Sequence, residues 1–148
     1  MTGSDDLALL FRYFNEVHIV AQLSGNAFEK AMPVGMTLPQ FAVLNHLARL
    51  GGNRTPLEIA RAMQVTKGTM TNTLGHLERG GFISVAPDAK DGRSKRVDIT
   101  EAGRAVRQAC IASMAPELGA LRTAFAADGF AAALPLLEGV RRFFDERR

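Results

Sequence analysis

At 148 residues the chain fits one domain with room for a core, and 47% apolar against 22% charged residues is the balance of a globular protein, not of a disordered tail. The net charge is +3, and a lone cysteine, Cys110, excludes an internal disulfide framework and suits a reducing cytoplasm. No run approaches the roughly 20 apolar residues of a membrane helix, and Met1-Thr2-Gly3-Ser4-Asp5-Asp6 lacks the basic start and apolar run of a secretory signal. The expectation is therefore a cytoplasmic protein with no membrane partner.

Residues 5 to about 31 read as one long helix: Leu7, Leu10, Phe14, His18, Ala21, Gly25 and Phe28 recur at steps of three or four, with Phe11 beside them. Met32-Pro33-Val34-Gly35 stops it. A second helix starts at Thr37, which caps it while Gln40 reaches back, and it buries Phe41, Leu44, Leu47 and Ala48 before Gly51-Gly52-Asn53. Thr55 and Glu58 repeat the capping box, with Pro56 at the first helical position, for a short helix ending near Met63. Thr66 then caps a further helix, and two short helices joined by about three residues make a helix-turn-helix.

In that next helix Met70, Leu74 and Leu77 face a core, leaving Gly68, Thr71, Asn72, Gly75 and Arg79 outside, with Lys67 and Thr69 near its start. The two glycines cost about 1 kcal/mol each against alanine in a helix interior, a cost explained by close approach to another surface. After Gly80-Gly81, residues 82–86 and 95–99 read as paired strands, with Val97 and Ile99 inward, Arg96 and Asp98 outward, and a tip over Pro87–Ser94. Thr100 caps a helix running to about 126, striped by Val106, Cys110, Met114, Leu118, Leu121 and Phe125 and kinked at Pro116. A last helix after Asp128-Gly129 holds Phe130, Leu134, Leu137, Val140 and Phe144, with Pro135 near its start.

Charge follows this layout. Residues 1–36 carry 2 basic and 4 acidic side chains, residues 37–100 carry 9 and 5, and residues 101–148 carry 7 and 6. The positive excess sits with the polar helix and the Lys90-Asp91-Gly92-Arg93-Ser94-Lys95-Arg96 hairpin tip. That pairing of a hydrogen-bonding helix face and an arginine finger is suited to the grooves of double-stranded DNA.

The strings TLPQFAVLNHL, TPLEIARAMQVTKGTMTNTLGHLERGGFI and DAKDGRSKRVDITEAGR resemble, in that order and spacing, the MarR family of bacterial transcription regulators. The resemblance is close over 37–104 and rests on pattern alone in the flanking helices. It implies a mainly α fold with a small β-wing: a winged helix-turn-helix at 37–100 between dimerisation helices at 5–36 and 101–148. It also implies that Thr66, Lys67, Gly68, Thr69, Thr71 and Asn72 face the major groove, and that Arg93 enters the minor groove with Asp91 supporting the wing tip. Lys95 and Arg96 are expected on phosphates. The chain departs from the family where Asn72, Val85 and Ala86 stand in place of frequent arginines. Asparagine pairs with adenine where arginine prefers guanine, so a different operator and fewer phosphate contacts are expected.

Seven of the nine phenylalanines lie outside 37–100. A monomer would struggle to hide them, and an exposed patch of that size marks an interface; the expectation is a homodimer placing two recognition helices about 34 Å apart on a pseudo-palindrome. The resemblance implies repression relieved by a small, often aromatic effector, with Tyr13, His18 and Phe41 as candidate lining residues. Two other readings stand beside this one: a thiol redox sensor through Cys110, and a winged-helix protein-interaction module. His18, His46 and His76 lie on separate helices without acids or thiols at ligand spacing. No nucleophile–base–acid set or phosphate-binding glycine loop occurs. Neither a metal, a cofactor nor catalysis is expected.

Overall fold

The computed structural model describes residues 3–148. The chain order is α1 (Gly3–Ala31), α2 (Leu38–Leu50), α3 (Pro56–Met63), α4 (Lys67–Arg79), β1 (Ile83–Pro87), β2 (Lys95–Ile99), α5 (Glu101–Ala124) and α6 (Ala127–Asp145). Two compact units result, Met1–Met114 and Ala115–Arg148. Their boundary falls inside α5, because Cys110 and Met114 pack into the core of the first unit.

Local chemistry accounts for the helix starts. Thr37 accepts from the Gln40 N–H and Gln40 returns the bond to the Thr37 N–H; Thr55 and Glu58 do the same for α3. Thr66 accepts from the Thr69 N–H at the head of α4. The helix ends are equally local. Gln64 closes α3 in the left-handed conformation (φ 60°), and the Val65 N–H reaches back to the Ala60 carbonyl. Gly81 (φ 77°) closes α4 the same way, with the Phe82 N–H on the Leu77 carbonyl. Both are Schellman stops.

The core of the first unit is built from α2, α3, α4, the strands and the start of α5, around Val43, Leu44, Leu47, Ile59, Leu77, Val97 and Cys110. Phe41 and Ala48 are half-buried, and Val43 takes the fully buried place on α2. Thr73 is buried on α4 with its hydroxyl donated to the Thr69 carbonyl, so a polar residue fills a core position at little cost. The strands pair antiparallel with Val85 opposite Val97 and Ala86 opposite Arg96. On the far side of β2 an isolated bridge joins Val97 to Arg54 in the α2–α3 loop. The wing is thereby a two-stranded ribbon held at its base by a third segment.

α5 begins under Thr100, whose hydroxyl accepts from the Gly103 N–H and donates to the Gly81 carbonyl. Gly103 packs against the Phe82 carbonyl so closely that any Cβ there would overlap it. Pro116, expected to kink this segment, lies inside α5 and is exposed, so the one carbonyl it leaves unbonded can turn to water. The expected stripe on α5 divides, Cys110 and Met114 being buried and Leu118, Leu121 and Phe125 exposed. α6 begins at Ala127, ahead of Asp128-Gly129, with Asp128 as the favourable acid of its first turn and Pro135 inside it. In the Ala115–Arg148 unit Phe125 meets Phe130 edge to face, with ring centres 6.2 Å apart.

Candidate nucleic-acid interface

The outer face of α4 and the wing tip present the expected groups with directions that the backbone fixes. Thr66, Lys67, Gly68, Thr69, Thr71 and Asn72 are all exposed. Thr66 is committed to the cap, accepting from the Thr69 N–H and donating to Thr69 Oγ1 at 2.9 Å. That leaves the Thr69 hydroxyl proton free to point outward. Thr71 donates to the Lys67 carbonyl at 2.9 Å, so its oxygen remains an outward acceptor. The first N–H groups of a helix have no intrahelical acceptor, and here they belong to Lys67 and Gly68. A Cβ built on Gly68 meets nothing within 4 Å. The head of α4 is a donor-rich, positively poled surface; Asn72, one turn on, carries both a donor and an acceptor.

The tip is held by short-range bonds. The Arg93 N–H donates to the Asp91 carboxylate at 3.1 Å, and the Ser94 N–H donates to the Asp91 carbonyl at 3.0 Å. Arg93 itself is 99% exposed, its Nε only grazing Asp91 at 4.0 Å. Asp91 thus shapes the turn and leaves the guanidinium free. Lys95 is likewise exposed. Between α4 and the wing lies an open groove of about 540 Å³, lined by Lys67, Thr71, Glu78, Arg93 and Lys95 among others.

Arg96 is placed otherwise than the sequence suggests. It is half-buried, bonded through Nη1 to the Asn53 carbonyl at 3.1 Å and through Nη2 to Asp88 at 3.2 Å. Its buried Nε finds no partner among the described residues. The expected phosphate ligand is turned inward, because an acceptor-rich loop lies within reach of β2. Asp88 takes a bond from the Lys90 N–H, which holds its carboxyl below the usual carboxylate range; Arg96 adds to that effect and partial burial opposes it. Sequence reasoning missed Asp88, Asn53 and Asp98, and the Asp-Ala-Lys turn at 88–90 was the one local signal available.

The candidate effector residues lie on α1 and α2. Tyr13 is half-buried on α1 with its ring edge-on to Phe14, at 5.3 Å. His18 is exposed, and five positions from Tyr13 puts it about 140° round the helix. Phe41 packs against the core. None of the three lines the groove beside α4.

Cys110 is fully buried, and burial pushes its thiol above its ordinary pKa. A sensing cysteine needs the opposite: access and a thiolate-favouring surround. Peroxide at concentrations that oxidise exposed thiols should leave Cys110 reduced in the folded protein, as thiol labelling after unfolding and mass measurement would reveal. A sulfenic acid or mixed disulfide formed at Cys110 without unfolding would reverse this reading.

A family model described as MarR family matches residues 34–94, which hold α2, α3, α4 and most of the wing. A mutant MarR from E. coli complexed with operator DNA superposes with a TM-score of 0.76 at 25% identity, over 95% of this chain and 99% of that one. Residues 34–94 thus carry the MarR-family sequence, within a chain that shares the fold of MarR-type regulators. Among curated relatives, the transcriptional activatory protein BadR of Rhodopseudomonas palustris is 32% identical over 100 residues, 66% of this chain and 55% of BadR. The HTH-type transcriptional repressor Rv2887 of Mycobacterium tuberculosis is 35% identical over 74 residues, 50% of this chain and 52% of the relative. The match spans about half the length of these curated relatives. The exposed α4 face and Arg93 both lie within the matched residues 34–94.

Proposed function

We propose that this chain is a dimeric, sequence-specific DNA-binding transcriptional regulator of the MarR family. The observation that carries the reading is the α4 head with Lys67, Gly68 and Thr69 as outward donors beside an unencumbered Arg93. Lys67, Gly68 and Thr69 bind a phosphate flanking the major groove, Asn72 reads a base edge, and Arg93 enters the adjacent minor groove, where narrow A·T tracts attract arginine. Lys95 meets a second phosphate; Arg96 does not.

Exposed apolar helix faces support the dimer. On α1, Leu7, Leu10, Phe11 and Phe14 fall within one helical face and are all exposed. On α6, Phe130, Leu134, Leu137 and Phe144 do the same. Such faces are covered in a homodimer, which sets two α4 helices on one side of a duplex. Phe28 is excepted, being packed against the core. No single helix among the described residues is long and apolar enough to cross a membrane, and a regulator of this kind acts in the cytoplasm on chromosomal DNA. Relatives include a named activator and a named repressor; repression relieved by a small aromatic effector is the proposed mode here, with Tyr13, His18 and Phe41 as the candidate lining residues.

Selection from a random duplex library tests the reading. Wild type should enrich a pseudo-palindrome whose half-sites are about 34 Å apart, with adenine favoured opposite Asn72. Asn72→Arg should shift that position towards guanine, a discrimination of about 1–3 kcal/mol. No enrichment over input would sink DNA reading altogether, and an unchanged preference in Asn72→Arg would remove Asn72 from base contact.

A further inference from the structure

The base of the wing carries an arrangement that DNA contact does not explain. Both backbone polar groups of one residue, Asn53, are held by side chains from β2. Its N–H donates to Asp98 Oδ1 at 2.6 Å, and its carbonyl accepts from Arg96 Nη1 at 3.1 Å. Arg96 and Asp98 flank Val97 on β2, and Val97 is the residue bridged to Arg54 in both directions, at 3.2 and 2.8 Å. Two side chains two apart on a strand share a face, so they grip the loop beside the backbone bridge.

The loop is shaped to be gripped. Asn53 sits in the left-handed region at φ 59°, a conformation asparagine tolerates better than most residues. Gly52 is pressed against Asp98 so that a Cβ there would overlap its carboxylate. Arg96 stands opposite Ala86, whose small side chain leaves its guanidinium free to reach both Asn53 and Asp88. Asp88 lies at the root of the tip turn, its own N–H bonded to the Ser94 carbonyl at 2.9 Å. A continuous path thus runs from the α2–α3 loop through Arg96 to Asp88 and on to the turn that carries Arg93.

We propose that Arg96 and Asp98 are positioning residues: they lock the wing to the Asn53 loop and so set the angle at which Arg93 is offered to the minor groove. The inference rests on the DNA-binding reading above. It assigns β2 a role in specificity without contact, since an unlocked ribbon must be re-ordered each time DNA is bound.

Asp98→Ala separates this from simple electrostatics by sign. The variant raises the net charge by one, so a merely solvated Asp98 predicts tighter binding to a polyanion. The clamp predicts weaker binding, by about threefold to tenfold, the equivalent of one lost hydrogen bond of ordinary net strength, as suits an exposed pair. Asp98→Asn keeps the acceptor and should restore binding close to that of wild type. The measurement is fluorescence anisotropy on the selected duplex and on one whose A·T flanks are replaced by G·C. The loss should be concentrated on the A·T-flanked duplex, where Arg93 works. Arg96→Ala gives an independent arm if Asp98→Ala fails to fold. It should weaken binding while leaving the slope of log K against log salt unchanged, whereas a phosphate contact would lower that slope by about one. Tighter binding by Asp98→Ala, or a slope lowered in Arg96→Ala, overturns the proposal. Wild type failing to bind any duplex overturns the parent reading instead.

Discussion

A chain carrying Leu7→Asp and Phe11→Asp together should sediment as a monomer at micromolar concentration and lose at least about 100-fold in affinity for a full palindromic site. The size of the effect follows from two steps. In a two-fold interface each substitution appears twice, so four carboxylates enter a dry apolar contact, each at a cost of several kcal/mol. Without the dimer each half-site is bound alone, and affinity falls from the specific range of about 10⁻⁸ M or tighter towards the roughly 10⁻⁴ to 10⁻⁶ M of non-specific binding. The fold should survive, because Leu7 and Phe11 are 60% and 77% exposed in the single chain and support no part of the core. Helix content by circular dichroism should therefore match wild type. Unchanged sedimentation would show that the α1 face is not the interface.

Much of this architecture is legible in the sequence because its signals are local. The caps at Thr37, Thr55 and Thr66 each involve a partner three residues away, so residue type and spacing reveal them. β2 over 95–99 and the exposed face of α4 follow from periodicities of two and 3.6. Asp91 is of the same kind, bonding an N–H two residues on. Where partners are distant, residue type misleads. Arg96 reads as a phosphate ligand by charge and by its place near the tip, yet its carbonyl partner Asn53 is 43 positions away. Asp98 finds Asn53 across 45 positions. Cys110 and Leu121 occupy one stripe on α5 but differ in burial, since what covers a helix face is decided by elements far along the chain.

Gly68 offers a prediction in which stability and function move in opposite directions. It is the second residue of α4, exposed, with ordinary helical geometry and no atom within 4 Å of where a Cβ would stand. Taken as a folding problem alone, Gly68→Ala should stabilise the chain by about 0.5–1 kcal/mol, because alanine loses less backbone entropy than glycine in a helix. For a chain of this size that is a rise of roughly 2–4 °C in Tm per kcal/mol. Gly75, the other glycine of α4, differs: a Cβ there would meet the end of the Arg79 side chain at 3.2 Å, so the guanidinium must first shift by a few tenths of an ångström. If the open space above Gly68 is where a phosphate seats against the Lys67 and Gly68 N–H groups, the added methyl must push the backbone away from it. Those amides bond well only at about 2.7–3.2 Å, so Gly68→Ala should bind at least about tenfold more weakly while melting higher. Gly68→Glu adds a repulsive charge at the same point and should abolish the mobility shift at physiological salt. Thermal denaturation and duplex titration on the same preparations decide it. A variant that is both more stable and equally tight would mean that α4 approaches DNA by some other part of its surface, and that Gly68 is glycine for no reason of contact.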